Sequence, residues 1–267
     1  MSREDAFALL SAAYESGIRH FDTAPLYSWG AAEDVLGAFV AGKSDLTIVT
    51  KAGIAPPTKA ARLIAKAPGV PAARPTYGQF GPRQVSRSLE ASLKRLRVDQ
   101  VGALLLHEAA PADVTDALIA EISQLKESGK AATLGLATSA SHTADILRRF
   151  PDTFDTVQIP IDGLTKLGPH SERTILHSVL GARLRNAASN VAADPRLAGE
   201  LGVAPGDTAA LAEKLLSAAL AESGNGIVLF SSTRPDAVRN NARVTPADPD
   251  LRALVHDLLA APPTAKR

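Results

Sequence analysis

Six strand-like apolar stretches of this chain run out into a polar residue: Asp22, Lys51, His107, Thr138, Asp162 and Ser231. Helix-patterned segments separate them along the whole length. Strands that alternate with helices build a parallel sheet covered on both faces, and such strands read as nearly continuous apolar runs. Polar side chains gathered at one end of strand after strand are what a barrel presents at its C-terminal mouth. No G-x-G-x-x-G turn follows any strand, so a doubly wound dinucleotide-binding sheet fits the pattern less well. The fold class read from this pattern is α/β, a (β/α)8 barrel of the TIM type.

The chain has 267 residues, 45% hydrophobic and 21% charged, a natural size for one barrel domain over residues 1–267. A formal charge of +1 supplies no field to draw in nucleic acid or a membrane surface, and no 18-residue apolar run is present. A small-molecule partner is expected, with no nucleic acid and no membrane. The first residues, MSREDAFALL, do not read as a secretion signal, and there are no cysteines to staple an extracellular fold. A cytoplasmic location is the expectation.

Ser2 can cap a first helix that carries Glu4 and Asp5 in its opening turn and stops at Gly17. Strands are expected at 18–21, 46–50, 101–106, 133–137, 156–161, 174–179 and 227–230. Helices are expected from about 31, and over 82–97, 118–128, 145–150, 209–222 and 249–259. Between the second and third strands lies a Pro/Gly-rich excursion, about 52–82, with a short helix near 59–66. The strand that would complete eight falls before Met1. The barrel is therefore expected to lack its first strand, leaving sheet edges for the tail or an oligomeric partner to cover.

Asp22, Lys51 and His107 end three successive strands, and Tyr27 follows on the loop after Asp22. A barrel brings them to one mouth. Singly, each has a plain structural explanation: a turn cap, a lysine reaching for solvent, a hydrogen-bonded histidine. Jointly they suit proton transfer to a carbonyl oxygen. A phenol titrates near pH 10 and is a weak acid at neutrality. A nearby ammonium favours its phenolate, a carboxylate orients that ammonium, and an imidazole hydrogen-bonds the carbonyl. None of these residues carries a hydride, so a nicotinamide cofactor is implied by the reaction.

Two rival patterns are weaker. GAFVAGKS, from Gly37 to Ser44, matches a phosphate loop letter for letter, but a helix precedes it and a strand follows, the reverse of what such a loop needs. His20 and Asp22 share one strand face and, with Lys51, His107 and Asp162, could form a metal-dependent hydrolase site, although the second histidine of such sites is missing. Residues 52–89 contain no acid but hold Lys59, Arg62, Lys66, Arg74, Arg83 and Arg87, which suits either a solvated loop or a basic lid over the mouth, with Tyr77 and Phe80 reaching back to it.

GIRHFDTAPLYSWGAAEDVLG, TIVTK and SLEASLKRLRVDQVGALLLH resemble three segments of the aldo-keto reductases. The resemblance implies that Asp22, Tyr27, Lys51 and His107 form a catalytic tetrad with Tyr27 as general acid, reducing an aldehyde or ketone with NADP, or NAD, as cofactor, or running the reverse oxidation. It extends to Gln158 beside the nicotinamide amide, to Ser178 and Leu180 in HSVLG around the pyrophosphate, and to Ser232, Arg234, Arg239 and Asn241 at the adenosine end. A carbonyl or sugar-like substrate is implied. Ala137-Thr138 stands where the family has Ser-Asn, and Ser231 and Ala237 stand where it has a lysine and an arginine for the 2′-phosphate, so the resemblance does not choose between the two cofactors. The other reading of such a chain is a reductase-like cofactor-binding or interaction module without turnover.

Overall fold

The computed structural model of the chain describes residues 1–65, 71–168 and 173–260. Seven parallel strands form one sheet in chain order: β1 (His20–Asp22), β2 (Thr47–Ala52), β3 (Val101–His107), β4 (Ala131–Ala137), β5 (Thr156–Pro160), β6 (Arg173–His177) and β7 (Ile227–Val228). Helices precede, separate and follow them: α1 (Arg3–Glu15), α2 (Ala31–Val40), α3 (Lys59–Ile64), α4 (Pro82–Leu96), α5 (Asp116–Glu127), α6 (Ala140–Arg149) and α7 (Leu164–Leu167) up to β6. Then come α8 (Ala182–Ala193), α9 (Pro195–Leu201), α10 (Thr208–Ser223), α11 (Pro235–Asn241) and α12 (Pro249–Ala260).

Among the described residues no ladder joins β7 to β1, so the sheet is a curled half-barrel with two edges. Its curl can be gauged from one contact. In a flat sheet β1 and β5 would lie roughly 19 Å apart, four strand spacings. Yet Gln158 on β5 donates a hydrogen bond to Asp22 on β1 at 2.8 Å. At the helix layer the opening is bridged by α1 packed on α11, while α12 packs on α8, α9 and α10 rather than along an edge.

Strand alternation sorts the side chains cleanly. Phe21, Ile48, Leu104, Leu106, Leu134 and Leu136 point outward into a core shared with the early helices. Val157, Ile159 and Leu176 face outward against Leu216 and Ala219 of α10. The residues between them face inward, where Val49, Ala103, Leu105 and Ala137 form a small apolar floor. Asp22, Lys51, His107, Gln158 and His177 share that inward parity.

The Ser2 cap forms with Asp5 in a reciprocal box, and α4 begins with Pro82 in its first turn. GAFVAGKS is the end of α2 and the turn beyond it: Gly42 has φ 79° and Lys43 Nζ donates to the Phe39 carbonyl, so this lysine closes a helix. Four expectations need correction. Helix α6 begins five residues early because Ser139 caps it, its Oγ accepting from His142 N. β6 ends at His177, because Ser178 turns left-handed at φ 60°. β7 keeps only two residues. Helices α8 and α9 occupy a stretch with no predicted element; alanine-rich faces give a faint apolar stripe, and α8 to α10 pack with α12 in a cluster of their own.

In the excursion after β2, Ala55 and Thr76 form an antiparallel bridge, while the predicted end of its helix, with Lys66, falls outside the described residues. Phe80 does fold back: it is buried on Gly53, at φ 122°, where a Cβ would stand 2.3 Å from its ring and 2.9 Å from the His107 carbonyl. Tyr77 does not; it is exposed, as are Arg74, Arg83 and Arg87.

Gly37 is where α2 meets the end of α4 backbone to backbone. An added Cβ would lie 2.2 Å from the Arg95 carbonyl oxygen and 2.6 Å from Leu96 Cα. Alanine favours a helix over glycine by about 1 kcal/mol, but main-chain atoms cannot rotate away, and overpacking costs about 1–3 kcal/mol. Gly37→Ala is expected to lower the unfolding free energy in urea by that order; an unchanged or raised midpoint would contradict the packing.

Candidate active site

β1 delivers Asp22 to the inner face, and Thr23 extends the ladder by one bond, its N–H donating to the Val49 carbonyl at 2.8 Å. Ala24 and Pro25 then stop the strand. A tight turn follows over Tyr27–Gly30, pinned by Tyr27 N to the Ala24 carbonyl and Trp29 N to the Leu26 carbonyl. Ser28 and Trp29 sit in the left-handed region at φ 49° and 56°, an arrangement that stands Tyr27 up at the mouth, 39% exposed.

Lys51 is only 2% exposed, and a buried ammonium without partners would cost several kcal/mol. It has two. Nζ donates to Asp22 Oδ1 at 2.5 Å and to the Thr23 carbonyl at 3.0 Å. The other Asp22 oxygen accepts from Gln158 Nε2 at 2.8 Å. The carboxylate is thus held from two strands, and it holds the lysine 5.0 Å from the centre of the Tyr27 ring.

His107, from the end of β3, meets Tyr27 edge to face with ring centroids 6.4 Å apart. Burial, and then the Lys51 ammonium, hold its imidazole below the ordinary value, at about 4, while Asp22 pulls the other way. At neutral pH it is therefore an uncharged ring with one N–H to donate. His177 faces the same space from β6: burial lowers its pKa too, with Asp22 and Lys51 as opposing influences, and its Nδ1 lies 2.9 Å from Ser178 Oγ. His20, two residues before Asp22, is likewise lowered by burial, and its Nε2 is buried without a partner.

A phenol, a buried ammonium, a carboxylate and a neutral imidazole around one opening can transfer a proton to an oxygen and hold that oxygen in place. The model of the aldo/keto reductase family matches residues 1–177. The chain belongs to that family.

Among curated relatives of the chain, a D-threo-aldose 1-dehydrogenase of Pseudomonas sp. is 29% identical over 209 residues, 72% of this chain and 60% of that protein. The chain thus spans about 60% of that relative's length. Solved structures agree on the fold. The holo form of the aldo-keto reductase AKR11C1 from Bacillus halodurans superposes with a TM-score of 0.76 at 19% identity, covering 96% of this chain and 88% of that one. The glycerol dehydrogenase AKR11B4 from Gluconobacter oxydans gives 0.73 at 19% identity, with 96% and 85% covered.

Of the residues singled out in the sequence, Asp22, Tyr27, Lys51, His107 and Gln158 meet at this mouth. Ser178 joins them only through His177, and Leu180 packs between the two C-terminal core clusters. Ser232, Arg234, Arg239 and Asn241 lie apart, on the turn into α11 and on α11 itself, where Ser232 Oγ accepts from Arg234 N and Arg239 pairs with Asp236. His177 was not foreseen, because a strand drawn through residue 179 hid its place at a strand end. Among the described residues no group of three or more histidines and carboxylates is placed to hold a metal ion, so His20, Asp22 and Asp162 do not build the hydrolase site considered above. No helix among them is long and apolar enough to cross a membrane.

The depressed histidine has a consequence for stability with a definite sign. The unfolded chain protonates this imidazole near 6.5, the folded one only near 4. Between those values the unfolded state binds more protons, so stability falls as pH falls. The contribution is complete above about 6.5 and lost by 4. His20 and His177 act in the same direction. In His107→Asn, the fall in unfolding free energy from pH 7 to pH 4 should be visibly shallower than in the unmutated protein; parallel curves would refute the buried, neutral imidazole.

Proposed function

We propose that this reductase-family chain catalyses reversible carbonyl reduction, converting an aldehyde or ketone to an alcohol, with Tyr27 as the general acid. The observation that carries the reading is the Asp22–Lys51 pair, buried beneath the Tyr27 ring with His107 at its edge. A nicotinamide cofactor supplies the hydride when bound. As the carbonyl carbon is reduced, Tyr27 gives its proton to the oxygen, and the phenolate left behind is stabilised by the Lys51 ammonium. Asp22 keeps that ammonium paired and aimed. The neutral His107 donates a hydrogen bond to the carbonyl oxygen and sets where it sits.

The chain has groups suited to such a cofactor. Gln158 spends its amide nitrogen on Asp22, which leaves its carbonyl for a carboxamide. Helix α8 begins at Gly181 with no side-chain cap and with nothing within 4 Å of the place a Cβ would occupy, so the amides of its first turn can take a phosphate. Ser178 and Leu180 flank that start. Ser232, Arg234, Arg239 and Asn241 offer a second, cationic and polar grip at α11. The cofactor proposed is NADP, with NAD as the alternative. The aldose dehydrogenase likeness supports a sugar-like or other small carbonyl substrate.

The test is a fluorescence titration of the purified chain with NADPH and NADH, with Tyr27→Phe alongside. Both proteins should bind cofactor, and carbonyl-dependent oxidation should fall by about 10²–10⁴-fold in the variant. Turnover by Tyr27→Phe at the unmutated rate would remove Tyr27 from the acid's role.

A further inference from the structure

Tyr27 stands on a turn that the chain would not adopt unaided. Ser28 and Trp29 are both left-handed without being glycine. Residues in that state cost on the order of 1–3 kcal/mol each and persist only where their surroundings over-determine them. Hydrogen bonds within the turn fix its shape, but they do not fix it to the sheet.

What ties it down lies just behind. Glu33, in the first turn of α2, has no exposed surface at all. Its Oε2 accepts from Arg95 Nε at 2.6 Å and its Oε1 from Thr50 Oγ1 at 2.7 Å. Arg95 belongs to the last turn of α4, and its Nη2 donates to the buried Ser92 Oγ at 3.3 Å. Thr50 is the neighbour of Lys51 on β2, facing outward as Lys51 faces in. One carboxylate therefore joins α2, α4 and β2 where the Tyr27 turn enters its helix.

The turn rests on this knot directly. Gly30, its last residue, lies over Arg95, with its absent Cβ only 3.5 Å from Arg95 Cδ. Pro25, at the other side of the turn, lines with Arg95 a cleft of about 290 Å³. A buried ion pair adds little net stability over apolar packing of the same shape, so stability alone does not account for a charged knot here. Directional bonds, however, hold one geometry where apolar contacts would allow several.

We propose that Glu33 and Arg95 are positioning residues, which with Thr50 lock the Tyr27 turn to β2 and so keep the phenol over Lys51. This rests on Tyr27 being the proton donor. The pair acts through the turn and touches neither substrate nor cofactor.

Trp29 is the only tryptophan in the sequence and is 40% exposed on the same turn, so fluorescence excited selectively from tryptophan reports the turn alone. The variants are Glu33→Gln/Arg95→Met, which removes both charges together, and Thr50→Val, which removes one hydrogen bond. Each is followed by circular dichroism, by Trp29 emission and acrylamide quenching, and by NADPH-dependent reduction of 4-nitrobenzaldehyde. In the double variant kcat should fall ~10–100-fold with KM within about twofold, since displacement of a reacting group by about 1 Å costs that much. Trp29 emission should shift to the red and quench more readily while the helical signal is kept. Thr50→Val should move both readouts the same way by less, and it decides alone if the double variant does not fold. Unchanged Trp29 emission overturns the proposal, whether kcat falls or not. If the unmutated chain reduces no carbonyl, the proposed activity fails, and the fluorescence alone then upholds or overturns the positioning role.

Discussion

The ion pair between Lys51 and Asp22 is the constraint around which the mouth is arranged. An ammonium at 2% exposure is tolerable only with a carboxylate against it, and that carboxylate is itself fixed by an amide from β5. Three strands are committed by these two contacts. The phenol above and the imidazole beside them then see a cation that cannot wander. A lysine free to reach solvent would offer the same charge without the same place, and place is what proton transfer requires.

Much of this could be read in the chain beforehand. Asp22, Lys51 and His107 announce themselves because each interrupts an apolar run at its end, and strand parity then fixes the face they share. Gln158 is legible only through the family resemblance, since nothing local marks it out. His177 is hidden in the sequence, because the left-handed Ser178 that ends its strand has no signature that a strand pattern reveals. Glu33 and Arg95 were illegible for a different reason. They are 62 positions apart and lie on surface-like helices, and only packing makes one of them wholly buried. Helices α8 and α9 escaped because alanine contributes too little apolar contrast to mark a face.

The helices behind the mouth do more than cover the sheet. Gly37 lets α2 approach α4 until their main chains touch, and that approach brings Glu33 within bonding distance of Arg95. Gly53 permits Phe80 to close over the loop after Lys51, against the His107 carbonyl. In both places a missing side chain sets how near two elements come, and nearness decides which polar groups can meet.

Because every strand pairs with its neighbour in the chain, the sheet can be laid down in order as the polypeptide emerges. Register partners in the first ladder are 27 residues apart, from His20 to Thr47, whereas Asp22 and Gln158 are separated by 136. For a bare chain the longer closure would cost about 1.4 kcal/mol more in entropy. With the intervening ladders in place that cost has already been met, and the two side chains are brought together by curvature. The mouth is therefore a property of the curled sheet and of no part of it: it exists only where five strands are joined, and a half-made sheet, however rich in regular structure, has no such mouth.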